Sequence, residues 1–306
     1  MNMHTLNDVI SPTIRDITSS VSSAAVPNAD HVVATRMREF DMPRLKQQFT
    51  DQDAFLYLDD FLLPEVTAQL VNSATDLLPE VNRNYLPGHK QGGSVSRHTI
   101  DAKAPFIAEL YRSKALIAWL EQITGDQLQV SPTDDPHAYA LYYYTKPGDH
   151  IGWHYDTSFY NGRRYTVLLA VTDNSSCKLE YELYTRRKDR ANEPGSIRIQ
   201  PGGLVAFDGD KLRHRVTPAG SNEMRVSLTF EYLTDPNMRP WRRVISNFKD
   251  AIAYFGFRQV FRQFAWQGST LFVASWGLAI AALFHLVPLV FGDVIYELLS
   301  HRALVL

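Results

Sequence analysis

The chain has 306 residues, a formal net charge of −2 at neutral pH, 45% hydrophobic residues and 12% aromatics, a length and composition that provide a sizeable core. The near-neutral charge excludes a protein that relies on a basic surface to bind nucleic acid, because phosphate binding draws on a clear excess of Lys and Arg. The single cysteine, Cys177, excludes an intrachain disulfide framework and a cysteine-rich zinc site, and suits a reducing compartment.

Residues 1–45 are polar and rich in Ser and Ala, as in ITSSVSSAAVPNAD, and predict a flexible segment without a core of its own. Nothing in the first 30 residues has the apolar run of a secretory signal. FLYLDD, from Phe55, predicts a short strand, and the stretch from Pro64 predicts a helix. Proline suits a first turn, where the N–H it lacks would have no partner. APFIAELYRSKALIAWLEQITG (104–125) predicts one helix with Phe106, Leu110, Leu116, Trp119, Leu120 and Ile123 on its apolar side and Gly125 at its end. After residue 129 the pattern turns to short strands separated by Gly, Pro, Asn and Asp: AYALYYYT, KLEYELYT, SIRIQ, GLVAF, LRHRVTP and RVSLTFEYL. The expectation is an α+β domain over 46–240, an antiparallel sandwich or barrel with helices packed outside it.

In VISNFKDAIAYFGFRQVFRQFAW, Ile245, Phe248, Ile252 and Phe255 recur at three- and four-residue steps between Lys249, Arg258 and Arg262. This predicts an amphipathic helix over 241–266 lying along a membrane surface. From Gly268 to Gly292 come 25 residues without Asp, Glu, Lys or Arg. At about 1.5 Å per residue a helix of that length crosses a ~30 Å hydrocarbon core, so 267–306 read as a transmembrane anchor and short tail, in preference to a buried or dimerising helix. Arg239, Arg242, Arg243, Lys249, Arg258 and Arg262 precede this segment and Arg302 alone follows it, which places the folded domain in the cytoplasm.

The chemistry gathers in GDHIGWHYDTSFYNGRRYTVLLAV (148–171). On a strand, residues i and i+2 share a face, so His154 and Asp156 project together and Tyr155 points away. An imidazole and a carboxylate are two parts of the facial triad that holds non-haem Fe(II) and leaves positions open for other ligands. The third belongs on a later strand. His137 and His150 lie too near in sequence, whereas His214, 58 residues after Asp156, sits on a short strand after a Gly/Asp turn. Eleven residues further on, Arg225 and Ser227 again share one strand face. An inward guanidinium beside a metal is costly unless paired, and it matches a dicarboxylate gripped in two places, with Ser227 adding a hydrogen bond. Each element alone is common; together, at these spacings, they specify a metal site.

From about 55 to 235 the chain resembles the Fe(II)/2-oxoglutarate-dependent oxygenase superfamily. FLYLDDFLLPEVTAQLV resembles its entry strand and helix. YTKPGDHIGWHYD resembles the Tyr-x-x-Pro-Gly…His-x-Asp segment of the prolyl-hydroxylase-like branch, and HRVTPAGSNEMRVSLTFEY its distal histidine and co-substrate strand. The resemblance implies a double-stranded β-helix of jelly-roll or cupin-like form with flanking helices. It implies Fe(II) on His154, Asp156 and His214, and 2-oxoglutarate on Arg225 with support from Ser227 and Tyr144. O2 is the second co-substrate and ascorbate an optional reductant. WHYDTSFYNGRRYTVLLAVTD also resembles the free-amino-acid hydroxylases and halogenases; halogenases lack the carboxylate, and Asp156 favours hydroxylation here. One departure is Arg225, where prolyl-hydroxylase-like members often have Lys. The implied activity is hydroxylation of a C–H bond in a membrane-associated or small-molecule substrate, releasing succinate and CO2. Trp153, Thr157, Tyr160 and Arg163, with Tyr155, Phe159 and Asn161, are candidates for substrate contact; Arg97 and His98 sit on a possible lid; RRKDR (186–190) reads as a solvated loop. Two other readings stay open. One is a membrane-anchored sensor or scaffold without catalysis, against which the intact triad argues. The other is a cupin-type metal enzyme without 2-oxoglutarate, which leaves Arg225 and Ser227 without a purpose.

Overall fold

The computed structural model describes residues 28–260. The chain opens with α1 (Ala29–Met37) and α2 (Met42–Asp51), then β1 (Phe55–Leu58) and α3 (Pro64–Asp76). A hairpin follows, β2 (Asn82–Leu86) and β3 (Lys90–Ser96), and then α4 (Arg97–Lys103), α5 (Pro105–Tyr111) and α6 (Lys114–Thr124). The remaining strands are β4 (Gln129–Val130), β5 (Tyr139–Tyr144), β6 (His150–His154), β7 (Arg164–Asn174), β8 (Leu179–Leu183), β9 (Glu193–Ile197), β10 (Leu204–Asp208), β11 (Arg213–Val216) and β12 (Met224–Leu233). The described part ends in α7 (Pro240–Asp250), a π-helical turn (Ala251–Phe255) and α8 (Gly256–Val260).

The strands form one antiparallel sheet in the order β1-β10-β7-β12-β5-β3-β6-β11-β8-β9, with β2 on β3 and β4 on β12. The sheet curls into the jelly-roll-like half-barrel expected of a double-stranded β-helix. Alternation along β12 divides its two faces. Val226, Leu228, Phe230 and Tyr232 join the large core beneath the helices, with Trp119, Leu120 and Ile107. Arg225, Ser227, Thr229 and Glu231 point the other way, into the barrel. Each large apolar side chain buried on the helix side contributes about 1.5–3 kcal/mol, and this anchors the strand that carries the polar row.

Three expectations are corrected. Residues 28–45 are not a coreless lead-in. Asn28 caps α1 by accepting from Asp30 N at 2.9 Å, and Ala29, Val32, Val33 and Leu45 are buried in the main core. The Asp30 carboxylate accepts from Ser113 Oγ at 2.8 Å and Ala115 N at 3.0 Å, tying α1 to the start of α6. The helix read over 104–125 is two, because Ser113 stops α5 and caps α6 by accepting from Leu116 N at 3.2 Å. Its predicted end holds: Gly125 has φ 77°, a left-handed conformation that glycine adopts without strain.

The third correction concerns the membrane. Among the described residues no helix is long and apolar enough to cross one. This overturns the expected membrane localisation with a cytoplasm-facing domain; the stretch 268–292 that carried it lies outside the described residues. The helix read as interfacial over 241–266 is, as far as residue 260, packed on the barrel instead. The Tyr254 carbonyl accepts from Ser94 Oγ at 2.6 Å and Asn82 Nδ2 at 2.9 Å, and Gln259 Oε1 accepts from Ser96 N at 2.8 Å. The periodicity misled because the face turned to the barrel is partly polar, with Ser246, Asn247 and Asp250 buried while Trp241 and Val244 are exposed.

Candidate active site

The metal-type cluster is built by strand register. β6 and β11 pair antiparallel with His154 directly opposite His214, which brings the two rings to 4.2 Å between centroids. β6 ends at His154, so Asp156 lies just beyond the strand, in the loop to β7, rather than on it. The loop nevertheless returns its carboxylate between the two imidazoles: Oδ1 is 3.5 Å from His154 Nε2 and Oδ2 is 3.9 Å from His214 Nε2. One ligand atom from each of His154, Asp156 and His214 lies within 4.8 Å of the others. Both rings are oriented through Nδ1, which donates to the carbonyl two residues back, Gly152 at 2.8 Å and Leu212 at 3.2 Å. That arrangement leaves each Nε2 lone pair free to ligate.

Two neighbours hold Asp156 in place. Thr166 Oγ1 donates to its Oδ2 at 2.9 Å. Gly209 lies so close that an added Cβ would be 2.5 Å from the Asp156 carbonyl oxygen and 3.0 Å from its Cβ. Burial raises the Asp156 carboxyl, but His214, His154 and Arg164 outweigh that and hold it well below the usual carboxylate range. Burial, with His154 alongside, lowers His214 to about 4. A neutral imidazole at His214 and an anionic carboxylate at Asp156 are the forms in which such groups bind a metal.

Deeper in the pocket, Arg225 on β12 faces Tyr144 on β5 in register, its guanidinium 5.6 Å from the Tyr144 ring centroid. Burial pushes the Tyr144 phenol up to about 12, so it acts as a neutral hydrogen-bonding group. Arg225 is 4% exposed and its Nη1 has no hydrogen-bond partner within the described structure. A buried cation with an unused N–H edge is unfavourable until an anion completes it. The pocket thus fits both a divalent metal at one end and a carboxylate at the other. Ser227, one pleat from Arg225, also lines it.

Several lining residues escaped the sequence. Thr229 and Glu231 continue the period of two begun by Arg225 and Ser227, a signal available but not extended. Glu231 is buried and forms a two-point ion pair with Arg164 of β7 at 2.6 and 2.7 Å. Thr166 bridges this pair to Asp156, 3.0 Å from Glu231 Oε2. His137, Tyr142, Lys249 and Tyr254 close the remaining wall, and the packing of α7 and of the π-helical turn after it brings the last two there.

Of the expected substrate contacts, Thr157 and Tyr155 line the pocket and the others do not. Trp153 lies on the other face of β6, flanked by Arg213 and Arg215 at 4.8 and 4.9 Å. Tyr160 is turned into a buried contact with Asp135 and Arg243. Arg163 pairs with Asp126 at 2.8 Å on the outer surface. Arg97 and His98 open α4 rather than form a lid, and Arg97 is 3% exposed with Nη1 donating to the Pro132 carbonyl at 2.7 Å. Arg186 of the basic run reaches the pocket's rim, 4.1 Å over the Tyr155 ring.

A curled antiparallel sheet that gathers two histidines and a carboxylate defines a protein of jelly-roll form with a candidate metal site. Residues 138–232 match the profile of the 2OG-Fe(II) oxygenase superfamily, and residues 37–169 match that of Halogenase D. Among solved structures the chain is similar to the non-heme α-ketoglutarate-dependent epimerase SnoN from nogalamycin biosynthesis (14% identity, TM-score 0.53, covering 63% of this chain and 80% of that one). It is also similar to a prolyl hydroxylase of Trichoplax adhaerens (16%, 0.51, 69% and 94%) and to the carbocyclase SnoK (12%, 0.52, 64% and 85%). At these identities the likeness is one of fold. No curated protein matches the chain. The profile match over residues 138–232 and the shared fold support the Fe(II)/2-oxoglutarate-dependent oxygenase superfamily, whose members use Fe(II), 2-oxoglutarate and O2, and His154, Asp156 and His214 form a candidate site for the metal.

Proposed function

We propose that the protein is an Fe(II)- and 2-oxoglutarate-dependent hydroxylase acting on a small-molecule substrate. His154, Asp156 and His214 would hold the iron through Nε2, a carboxylate oxygen and Nε2. Arg225, with Ser227 and Tyr144, would hold the distal carboxylate of 2-oxoglutarate. The observation that carries the reading is one pocket lined both by a two-histidine, one-carboxylate cluster within 4.8 Å and by a buried Arg225 whose Nη1 has no hydrogen-bond partner among the described residues. Bound iron and 2-oxoglutarate supply oxidation of an unactivated C–H bond, with succinate and CO2 as co-products.

The chain's own residues orient and shield that chemistry. The Nδ1–H bonds to Gly152 and Leu212 keep both imidazoles in the ligating tautomer. Thr166 and Gly209 keep the Asp156 carboxylate in the cluster. The match to Halogenase D raises halogenation as an outcome, but Asp156 fills the position that a halide would need, which supports hydroxylation.

The test is an anaerobic titration of the full chain with Fe(II) and then 2-oxoglutarate, followed by the visible metal-to-ligand charge-transfer absorption. The expected band appears only with both present and is lost in His214→Ala. Iron binding without the band would refute the role of Arg225. No iron binding would refute the reading altogether.

A further inference from the structure

One group of buried polar residues lies outside the roles assigned above. Asp250, at the end of α7, is fully buried, and its Oδ1 lies 2.9 Å from His137 Nδ1. On the other side of the ring, His137 Nε2 is hydrogen-bonded to the hydroxyl of Tyr142. Tyr142 neighbours Ser227 in the β5–β12 register and lines the pocket. The three form a continuous chain, carboxylate to imidazole to phenol, that ends beside the metal-type cluster.

Packing does not account for it. A buried carboxylate is costly, and an apolar side chain of similar volume would serve stability as well or better. Asp250 Oδ2 has no partner in the described structure, so the residue is not optimised as a tether. Its second neighbour, Lys249 Nζ at 3.8 Å from Oδ1, itself lines the pocket.

The chain of bonds has a direction. Asp250 is an acceptor only, so His137 donates from Nδ1. His137 sits edge-on against the Tyr254 and Phe255 rings, centroids 4.7 and 5.1 Å away, which fixes the ring plane between Asp250 and Tyr142. In the uncharged ring Nε2 is then an acceptor, and the Tyr142 O–H is committed to it. What remains on Tyr142, which lines the pocket, is its oxygen lone pairs.

We infer that Asp250, His137 and Tyr142 form a relay that presents the Tyr142 oxygen to the substrate as a fixed acceptor, so that the substrate carries a hydroxyl or ammonium donor near the carbon that is oxidised. This rests on the oxygenase reading above. Tyr142 is the contacting residue; His137 and Asp250 are positioning residues that act through it.

Two measurements on the full chain test it, and the first needs neither iron nor co-substrate. With ¹⁵N-histidine labelling of the metal-free protein, His137 is expected to carry its proton on Nδ1 and to accept at Nε2. Asp250→Asn should redistribute that proton, and Tyr142→Phe should remove the hydrogen-bond signature at Nε2. A doubly protonated His137 would overturn the inference, since Tyr142 would then offer a donor to the pocket. The second measurement titrates the anaerobic Fe(II)/2-oxoglutarate protein with 1-butanol and with its methyl ether, reading the charge-transfer band. One retained hydrogen bond gives the alcohol an advantage of about tenfold. The advantage should vanish in Tyr142→Phe and shrink in Asp250→Asn. Equal response to alcohol and ether, no response to either, or an unchanged preference in Tyr142→Phe would overturn the donor assignment; a role confined to fastening α7 would leave that preference intact. Failure to see any band defeats the oxygenase reading instead, and the histidine spectrum still decides the relay.

Discussion

The turn that launches β6 depends on one carboxylate, and removing its charge tests whether the metal strand is set from outside the site. Asp149 has no exposed side-chain surface. It accepts from Arg83 Nη1 and Nη2 at 2.7 and 2.6 Å, from the Thr145 and Lys146 N–H groups at 2.9 Å each, and from Gln91 at 3.2 Å. Gly148 precedes it at φ 82°, where a side chain would be strained. Asp149→Asn keeps the shape but turns an N–H₂ toward donors and leaves Arg83 without its counter-charge. Breaking a buried pair from one side costs about 3–5 kcal/mol. The Arg83 side chain is 30% exposed, so water recovers part of its hydration and the lower end, about 3 kcal/mol, is expected. For a domain of this size that is a fall of about 6–12 °C in Tm. Urea unfolding at neutral pH should show a lower midpoint at unchanged slope. Burial raises the Asp149 carboxyl, but the Arg83 bonds and the two backbone N–H groups outweigh it, and the group titrates below its ordinary value. Its contribution is therefore full above the ordinary carboxylate range and lost as pH falls through the lowered folded value, so wild type and Asp149→Asn should converge in acid. A variant within about 0.5 kcal/mol of wild type, or a gap that persists unchanged in acid, would refute the reasoning.

Four further outcomes are expected. Gly209→Ala drives a Cβ into Asp156 and should weaken Fe(II) or Mn(II) binding by about 10–100-fold, measured by titration of the folded variant. Arg225→Gln removes the charged two-point donor and should weaken 2-oxoglutarate binding by about 100-fold or more, with Arg225→Lys between the two, read calorimetrically on the Mn(II)-loaded protein. Arg164→Met leaves Glu231 buried without its counter-charge, lowering stability at neutral pH by about 3–5 kcal/mol, whereas the double change with Glu231→Leu should recover most of it. Ser113→Ala removes both the α6 cap and the hydroxyl bond to Asp30 and should cost about 2 kcal/mol in urea unfolding.

The sequence alone was enough to find the strands from Tyr139 to Leu233, their turns and the triad His154, Asp156 and His214. A period of two, glycine and proline at the breaks and a chemically odd inward His-x-Asp are local signals, and local signals survive in one dimension. It also exposed Arg225 and Ser227, because an arginine facing a barrel interior conflicts with burial unless something pairs with it. Tertiary structure decided the rest. Register set His154 against His214, and a loop rather than a strand carried Asp156 to them. Trp153, Tyr160 and Arg163 read as site residues through nearness in sequence, yet pleating or loop direction turned each away. Asp250 and Lys249 read as parts of a membrane-surface helix, yet packing of α7 on the barrel carried them more than a hundred residues along the chain to His137 and the pocket. Amphipathic periodicity reports that a helix has two faces; which face is covered, and by what, depends on surfaces assembled from distant residues, and those exist only once the chain has folded.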